Sequence, residues 1–311
     1  MPEIKNDMAL DQHVIKTLLY YDIFNYPLRV EEIVRFLGTP HHQHDIQWRL
    51  NELAEQGFIF KFGDLFSIQN NIDHVSRRLK GNEEAQRYLP LAKKMAKLIS
   101  RFPFVRAVMA SGSLSKNYMD ENCDLDFFIV TETGRLWVTR MLLVLYKRIF
   151  LFNSHKHFCV NYFVDTHHLE IEEKNLFTAT ELATVLPLQG VKFYHELHAA
   201  NPWVTQFFPN LTPRSTDAVE EITLGGLKKV LENIMNFCFG DRFENFFMNL
   251  TLNRWKRKYQ RDYPNTEFQI AFKTKKYTSK SHPRNFQRRV MDTYKQKLEQ
   301  FSQKFDRVLN T

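Results

Sequence analysis

Near the start of the chain, apolar residues recur at helical spacing in three successive segments, and then the pattern changes to alternation. In "LDQHVIKTLLYYDIF", Val14, Leu18 and Leu19 share one helix face. "PLRVEEIVRFLG" predicts a second helix, opened by Pro27 and ended by Gly38. "HHQHDIQWRLNELAEQG" predicts a third, with Ile46, Leu50 and Leu53 on its apolar face and Gly57 as its stop. "FIFKFGDLFSIQ" then reads as two short strands that turn at Gly63-Asp64.

Farther along, the pattern switches between helix and strand. "EEAQRYLPLAKKMAKLISRF" is amphipathic, with Leu89, Leu91, Met95, Leu98 and Ile99 among its apolar positions. "FVRAVMASGS" and "CDLDFFIVT" read as strands, "GRLWVTRMLLVLYKRIFLF" as a helix, and "HFCVNYFVD" as a third strand. "LEIEE" extends that sheet in this reading. "TATELATVLPL" begins another helix, capped by Thr178 or Thr180 with Glu181 in its first turn. Two later segments, "VEEITLGGLKKVLENIMNFCF" and "NFQRRVMDTYKQKLEQFSQKFDRVL", are helical in pattern. The expected domains are residues 1–75, 82–199 and 200–311.

Composition narrows the class. Cys123, Cys159 and Cys238 are too few, and wrongly spaced, for a disulfide scaffold or a cysteine-based metal site. A reduced, cytoplasmic protein is the expectation. The N-terminus lacks an apolar signal segment, and Arg140, Lys147 and Arg148 interrupt the most apolar stretch, so no membrane partner is expected. The net charge is +8, which favours phosphate-bearing partners. From Arg254 to Lys295 there are 13 Lys and Arg against 3 Asp and Glu, and this segment accounts for the excess.

That basic segment interleaves Trp255, Tyr259, Tyr263, Phe268, Phe272, Tyr277 and Phe286. Cations with aromatics suit RNA or another polyanion, through phosphate neutralisation and base stacking. A helical domain with an aromatic core and solvated lysines explains the same residues. Lys273, Lys275, Lys276, Lys280 and Arg284 are candidates to reach a triphosphate.

The candidate chemistry lies in "SGSLSKNYMDENCDLDFFIV", residues 111–130. On a strand, Asp124 and Asp126 project from one face, with Cα atoms about 7 Å apart. Two carboxylates so placed converge on hard cations such as Mg²⁺. Two such cations assist in-line phosphoryl displacement. Gly112 allows a close backbone approach to phosphate, Ser113 adds a hydroxyl and Lys116 a cation.

These residues resemble the DNA polymerase β superfamily of nucleotidyltransferases. Its signature is an apolar residue, Gly and Gly or Ser, then an acid-apolar-acid strand after roughly ten residues. Here Ser111, Gly112, Ser113, Asp124, Leu125 and Asp126 stand at those positions, within a similarity that covers Phe104 to Asp165. The resemblance implies transfer of a nucleoside monophosphate from an NTP to an acceptor, with Mg²⁺ or Mn²⁺ held by Asp124 and Asp126. It also implies nucleotide binding by Gly112, Ser113 and Lys116. The family's third carboxylate falls at Asn161, which does not accept a proton at neutral pH; Asp165 and Glu170 are the alternatives. A core that binds nucleotide or nucleic acid without turnover, as a sensor or regulator, is the rival reading.

The expected fold class is therefore α+β: a small mixed-sheet nucleotidyltransferase core flanked by an N-terminal winged-helix-like domain and a basic, mainly helical C-terminal domain. The winged-helix expectation rests on the order of three helices and a hairpin. Its third helix offers Gln47 and Arg49 to DNA, but Asp45, Glu52 and Glu55 oppose phosphate. Protein docking or a structural role is favoured there over sequence-specific DNA binding. His41, His42 and His44 read as a solvated helix start rather than a metal site. His155, His157, His167 and His168 are read the same way.

Overall fold

Apolar spacing and local caps set the N-terminal elements. In the computed structural model, which describes residues 2–152, 156–238, 240–282, 285–306 and 309, the chain begins with α1 (Pro2–Asp22), α2 (Val30–Arg35) and α3 (Gln43–Glu55). The hairpin β1 (Phe60–Phe62) and β2 (Leu65–Ser67) follows. Val14, Leu18, Ile33, Ile46, Leu50 and Leu53 are all buried, as the helical spacing requires. Pro27 lies outside α2, which starts later because the Glu32 carboxylate accepts from the Arg29 N–H at 2.7 Å and so satisfies an orphan donor of the first turn.

The long helix α4 (Ile72–Ser100) comes next. The Asn71 side chain caps it by accepting from the Asp73 N–H at 2.9 Å. The interval expected between domains at residues 75–82 therefore lies inside one helix.

The central elements are β3 (Val105–Ser111), α5 (Gly112–Ser115), β4 (Asp126–Thr131), α6 (Leu136–Phe150), β5 (Cys159–Asp165), α7 (Leu176–Thr184) and β6 (Leu186–Gln189). After them come α8 (Val191–Ala200), α9 (Val204–Phe207), α10 (Gly226–Cys238), α11 (Asp241–Tyr259), α12 (Asn265–Ala271), β7 (Thr274–Lys275), β8 (Thr278–Lys280) and α13 (Phe286–Phe305). "LEIEE" forms no strand, so the expected extension is not made by those residues. The helix expected in "TATELATVLPL" starts earlier, with the Asn175 side chain rather than Thr178 or Thr180 as its cap, and its end becomes strand β6.

The sheet is mixed, in the order β6-β3-β4-β5-β8-β7. Only β4 and β5 run parallel among these neighbours. Alternate residues face two cores. Ala107, Met109, Phe128, Val130 and Val164 pack with residues of α1, α7 and α13. Val108, Ala110, Phe127, Ile129 and Phe163 pack with residues of α4 and α6. This is the period-two placement of a sheet covered on both faces.

The sheet crosses the boundary expected near residue 200, because β8 pairs with β5. The basic segment is thus partly sheet and partly helix. Its aromatics are largely interior: Trp255, Phe268 and Phe272 are buried together, with Tyr259 and Tyr263 packed against them. Tyr259 stacks on Phe272 with ring centroids 4.7 Å apart. These rings fill a small core instead of offering themselves to bases.

Candidate active site

The chain reverses between β3 and β4 so that Ser111 pairs with Asp126. Gly112 makes the turn with φ at +63°. A Cβ placed there would stand 2.5 Å from Asp126 Oδ2. Glycine is therefore required twice over, by the left-handed backbone and by the carboxylate lying against it. Ser115 Oγ and Lys116 Nζ both donate to the Gly112 carbonyl, at 2.8 and 3.2 Å.

Asp126 heads β4, but Asp124 precedes the strand, in the segment that leads into it. The expected strand pair is therefore half right. Leu125 is buried between the two acids, and its backbone already bonds the neighbouring segment through the Lys156 carbonyl at 2.9 Å and the Cys159 N–H at 3.0 Å. Asp124 stays close enough to Asp126 to act on its charge.

On β5 the register slips between Phe127 and Phe128, opposite Val160 and Tyr162. Asn161 is the extra residue of this bulge, and bulges re-aim side chains. Its Nδ2 donates to Asp126 Oδ1 at 2.8 Å. Its own Oδ1 is buried without a hydrogen-bond partner. The Ser281 N–H, just past β8, fixes the Asn161 carbonyl at 2.9 Å.

Burial pushes the Asp126 carboxyl up to about 7. The Cys159 thiol opposes this by donating to it, Asp124 and Glu181 add to the rise by their negative charge, and Lys116 lowers it. Burial pushes the Cys159 thiol well above its ordinary value. It is a packed hydrogen-bond donor, not a nucleophile.

Several expected residues lie elsewhere or are already engaged. Lys116 Nζ pairs with Glu181 at 2.7 Å, so it is not a free cation for phosphate. Ser113 lies beside the Cys123 thiol and lowers its pKa against the rise that burial causes. Asp165 pairs with Thr131 at the far end of β4, about 16 Å along the strand from Asp126. It is 2% exposed and accepts from the His167 N–H and from His168 Nδ1. Asp165 is thus corrected from candidate third carboxylate to anchor of the chain after β5. Glu170 pairs with Lys174 and stands beyond that same end.

Among the candidate triphosphate cations, Lys273 and Lys275 pair with Glu172 and Glu173. Lys280 is buried with its Nζ on Gln287 at 3.0 Å, and Arg284 and His155 fall outside the described residues. On α3, Arg49 Nη2 donates to Asp11 at 2.7 Å and Nη1 to Glu52, so it is tied inside the N-terminal unit and not offered to DNA.

Glu181 is the residue that sequence reasoning missed. It read only as a first-turn acid of a helix. Its approach to Asp126 depends on α7 packing over the sheet, for which local spacing gives no signal.

Hard oxygen donors at this place are Asp124, Asp126 and the unpartnered Oδ1 of Asn161, a set that suits Mg²⁺ or Mn²⁺. Among the described residues, no group of three or more His, Cys, Asp or Glu is arranged to hold a metal ion. A cation here would have only these few protein oxygens and would need water for its other positions, as Mg²⁺ commonly does. No protein-family model, curated protein or solved structure matches the chain.

Proposed function

We propose that the protein is a metal-dependent nucleotidyltransferase that moves a nucleoside monophosphate from an NTP to an acceptor and releases pyrophosphate. One observation carries this reading: the glycine turn after β3 lies directly against a half-buried carboxylate at the head of β4, with Asp124 close by. Asp124, Asp126 and Asn161 Oδ1 would hold Mg²⁺ or Mn²⁺. When bound, the cation supplies charge neutralisation at the phosphates. Gly112 keeps the backbone open next to Asp126. Asn161 holds the Asp126 carboxylate in place by donating to its Oδ1 at 2.8 Å, and the Cys159 thiol beside it offsets part of its rise. Glu181 keeps Lys116 on the Gly112 carbonyl, which braces the turn.

Asn161 favours a second reading. A neutral amide occupies the place where the resemblance puts a third carboxylate, and an amide does not take a proton from an acceptor hydroxyl. A site that binds nucleotide without turnover follows from that exchange.

Calorimetric titration of each of the four NTPs, with and without Mg²⁺, tests the site independently of the acceptor. Mg²⁺-dependent binding is expected for the wild type and is lost in Asp124→Asn plus Asp126→Asn. Retained binding in the folded double variant overturns the assignment. Pyrophosphate release then separates transfer from binding alone.

A further inference from the structure

Helix α10 sits on the protein with its polar side inward. Lys228, 8% exposed, donates Nζ to the Ser100 and Val105 carbonyls at 2.8 Å each. Glu232, 6% exposed, accepts from the Phe104 N–H at 2.6 Å and from Arg106 through two bonds of 2.9 Å. Asn236 accepts from Arg135 at 2.7 Å. These three residues recur every four positions, so they form one stripe along the helix.

The opposite stripe is apolar and faces outward. Leu227 is 75% exposed and Phe237 is 93% exposed, and Val230, Leu231 and Ile234 between them are exposed as well. Hydrophobic burial therefore does little to hold α10 in place, and its polar contacts carry that task. An exposed apolar stripe of this kind marks a contact surface.

Charge selects what covers it. Along α10 and α11 the exposed cations are Lys229, Arg242, Arg254, Lys256, Arg257 and Lys258, and Asp241 is the exposed carboxylate among the described residues. Helix α11 follows after two residues. It carries exposed Phe246 and Leu250, and then Arg254 and Arg257 along the same face. A second copy docked face to face would bring like charges together. RNA would neutralise the cations but leave the apolar stripe in water, and the rings of the neighbouring basic segment are packed against one another.

An anionic lipid surface satisfies both features, because headgroups take the cations and acyl chains take the apolar stripe. We propose that α10 and α11 form a peripheral contact surface for anionic membranes. No helix among the described residues is long and apolar enough to cross a membrane, so the contact lies along the surface and replaces the expectation of no membrane partner. Nothing in this inference depends on the nucleotide site.

The test is co-sedimentation of the full chain with vesicles of phosphatidylcholine alone or mixed with phosphatidylserine. Binding to the mixed vesicles is expected, weakening as salt rises. Leu227→Glu plus Phe237→Glu, both at exposed positions, should lower partitioning roughly tenfold or more, with an unchanged circular dichroism spectrum. Arg254→Glu plus Arg257→Glu should remove most of the salt dependence. Failure to bind the mixed vesicles overturns the proposal, as does full binding by the Leu227/Phe237 variant. A concentration-dependent dimer that this variant abolishes assigns the face to a second copy instead. Single-stranded RNA binding that the apolar substitutions leave intact, without vesicle binding, assigns the cations to nucleic acid.

Discussion

Asn161 donates its Nδ2 to Asp126 Oδ1 at 2.8 Å, while its own Oδ1 is buried and has no partner. The amide therefore holds the carboxylate with one end and leaves the other without a partner. Asn161→Asp replaces the donor by a second negative charge in a half-buried place. Without divalent cation, this variant should lose about 2–3 kcal/mol of stability, by the lost hydrogen bond and like-charge repulsion. Mg²⁺ should raise its melting temperature more than it raises that of the wild type. An equal response of the two proteins would place the cation site away from Asn161.

Gly112→Ala tests the turn. The added Cβ meets the Asp126 carboxylate at 2.5 Å, on a backbone with φ at +63°. A cost of about 2 kcal/mol is expected from the left-handed backbone alone. Displacement of Asp126 should also remove Mg²⁺-dependent NTP binding. Calorimetry and thermal melts on the same sample separate the two effects, and unimpaired binding would show that Asp126 tolerates the shift.

Stability in the absence of divalent cation should fall between pH 6.5 and pH 5. Burial lowers His198 to about 4, aided by the charges of His195 and Arg35. Burial likewise lowers His282 to about 4, aided by Lys280. Both stay neutral in the folded chain while the unfolded chain takes up protons below 6.5, so each costs stability as pH falls. Asp126, raised to about 7, works the other way, since the folded chain takes up its proton first. These two histidines against this carboxyl leave a net loss on the order of 1–2 kcal/mol over this window; His13, also lowered by burial, adds to the loss, and Glu244, raised by burial, offsets part of it. Asp126→Asn should steepen the loss to about 3 kcal/mol. Chemical denaturation at the two pH values measures both.

Phe272 distinguishes a core from a stacking surface. It is 1% exposed and touches Trp255, Tyr259, Tyr263 and Phe268. Phe272→Ala should cost about 3–5 kcal/mol, as for other buried phenylalanines. A ring used for base stacking would leave the melting temperature unmoved.

Much of this was legible in the residues. Periodicity located the N-terminal helices, the hairpin and the strands through Gly112, Asp126 and Asn161, because those elements bury regular faces. Asp124 was put on the strand because a rule of alternation does not say where pairing begins. Alternation gives Asp165 a face but not a place along the strand, and that place is the end opposite Asp126. Lys116 and Glu181 looked unrelated because they meet only when α7 folds over the sheet. The short strands β7 and β8 were hidden inside a run of lysines, whose charge outweighed any alternation. The inward polar stripe of α10 runs against the usual placement of charge, so its residue pattern alone does not say which side meets the protein.

The pairing of β5 with β8 has a consequence for synthesis. Val164 meets Thr278, about 115 residues later, and such distant contacts form late. As the chain leaves the ribosome, β5 is made long before its partner, and its open edge invites pairing with other nascent chains. The central sheet is complete only after Lys280 has emerged. Chains stopped before residue 274 would thus expose a strand edge that the folded molecule conceals, which makes the β7–β8 hairpin a safeguard against aggregation during translation.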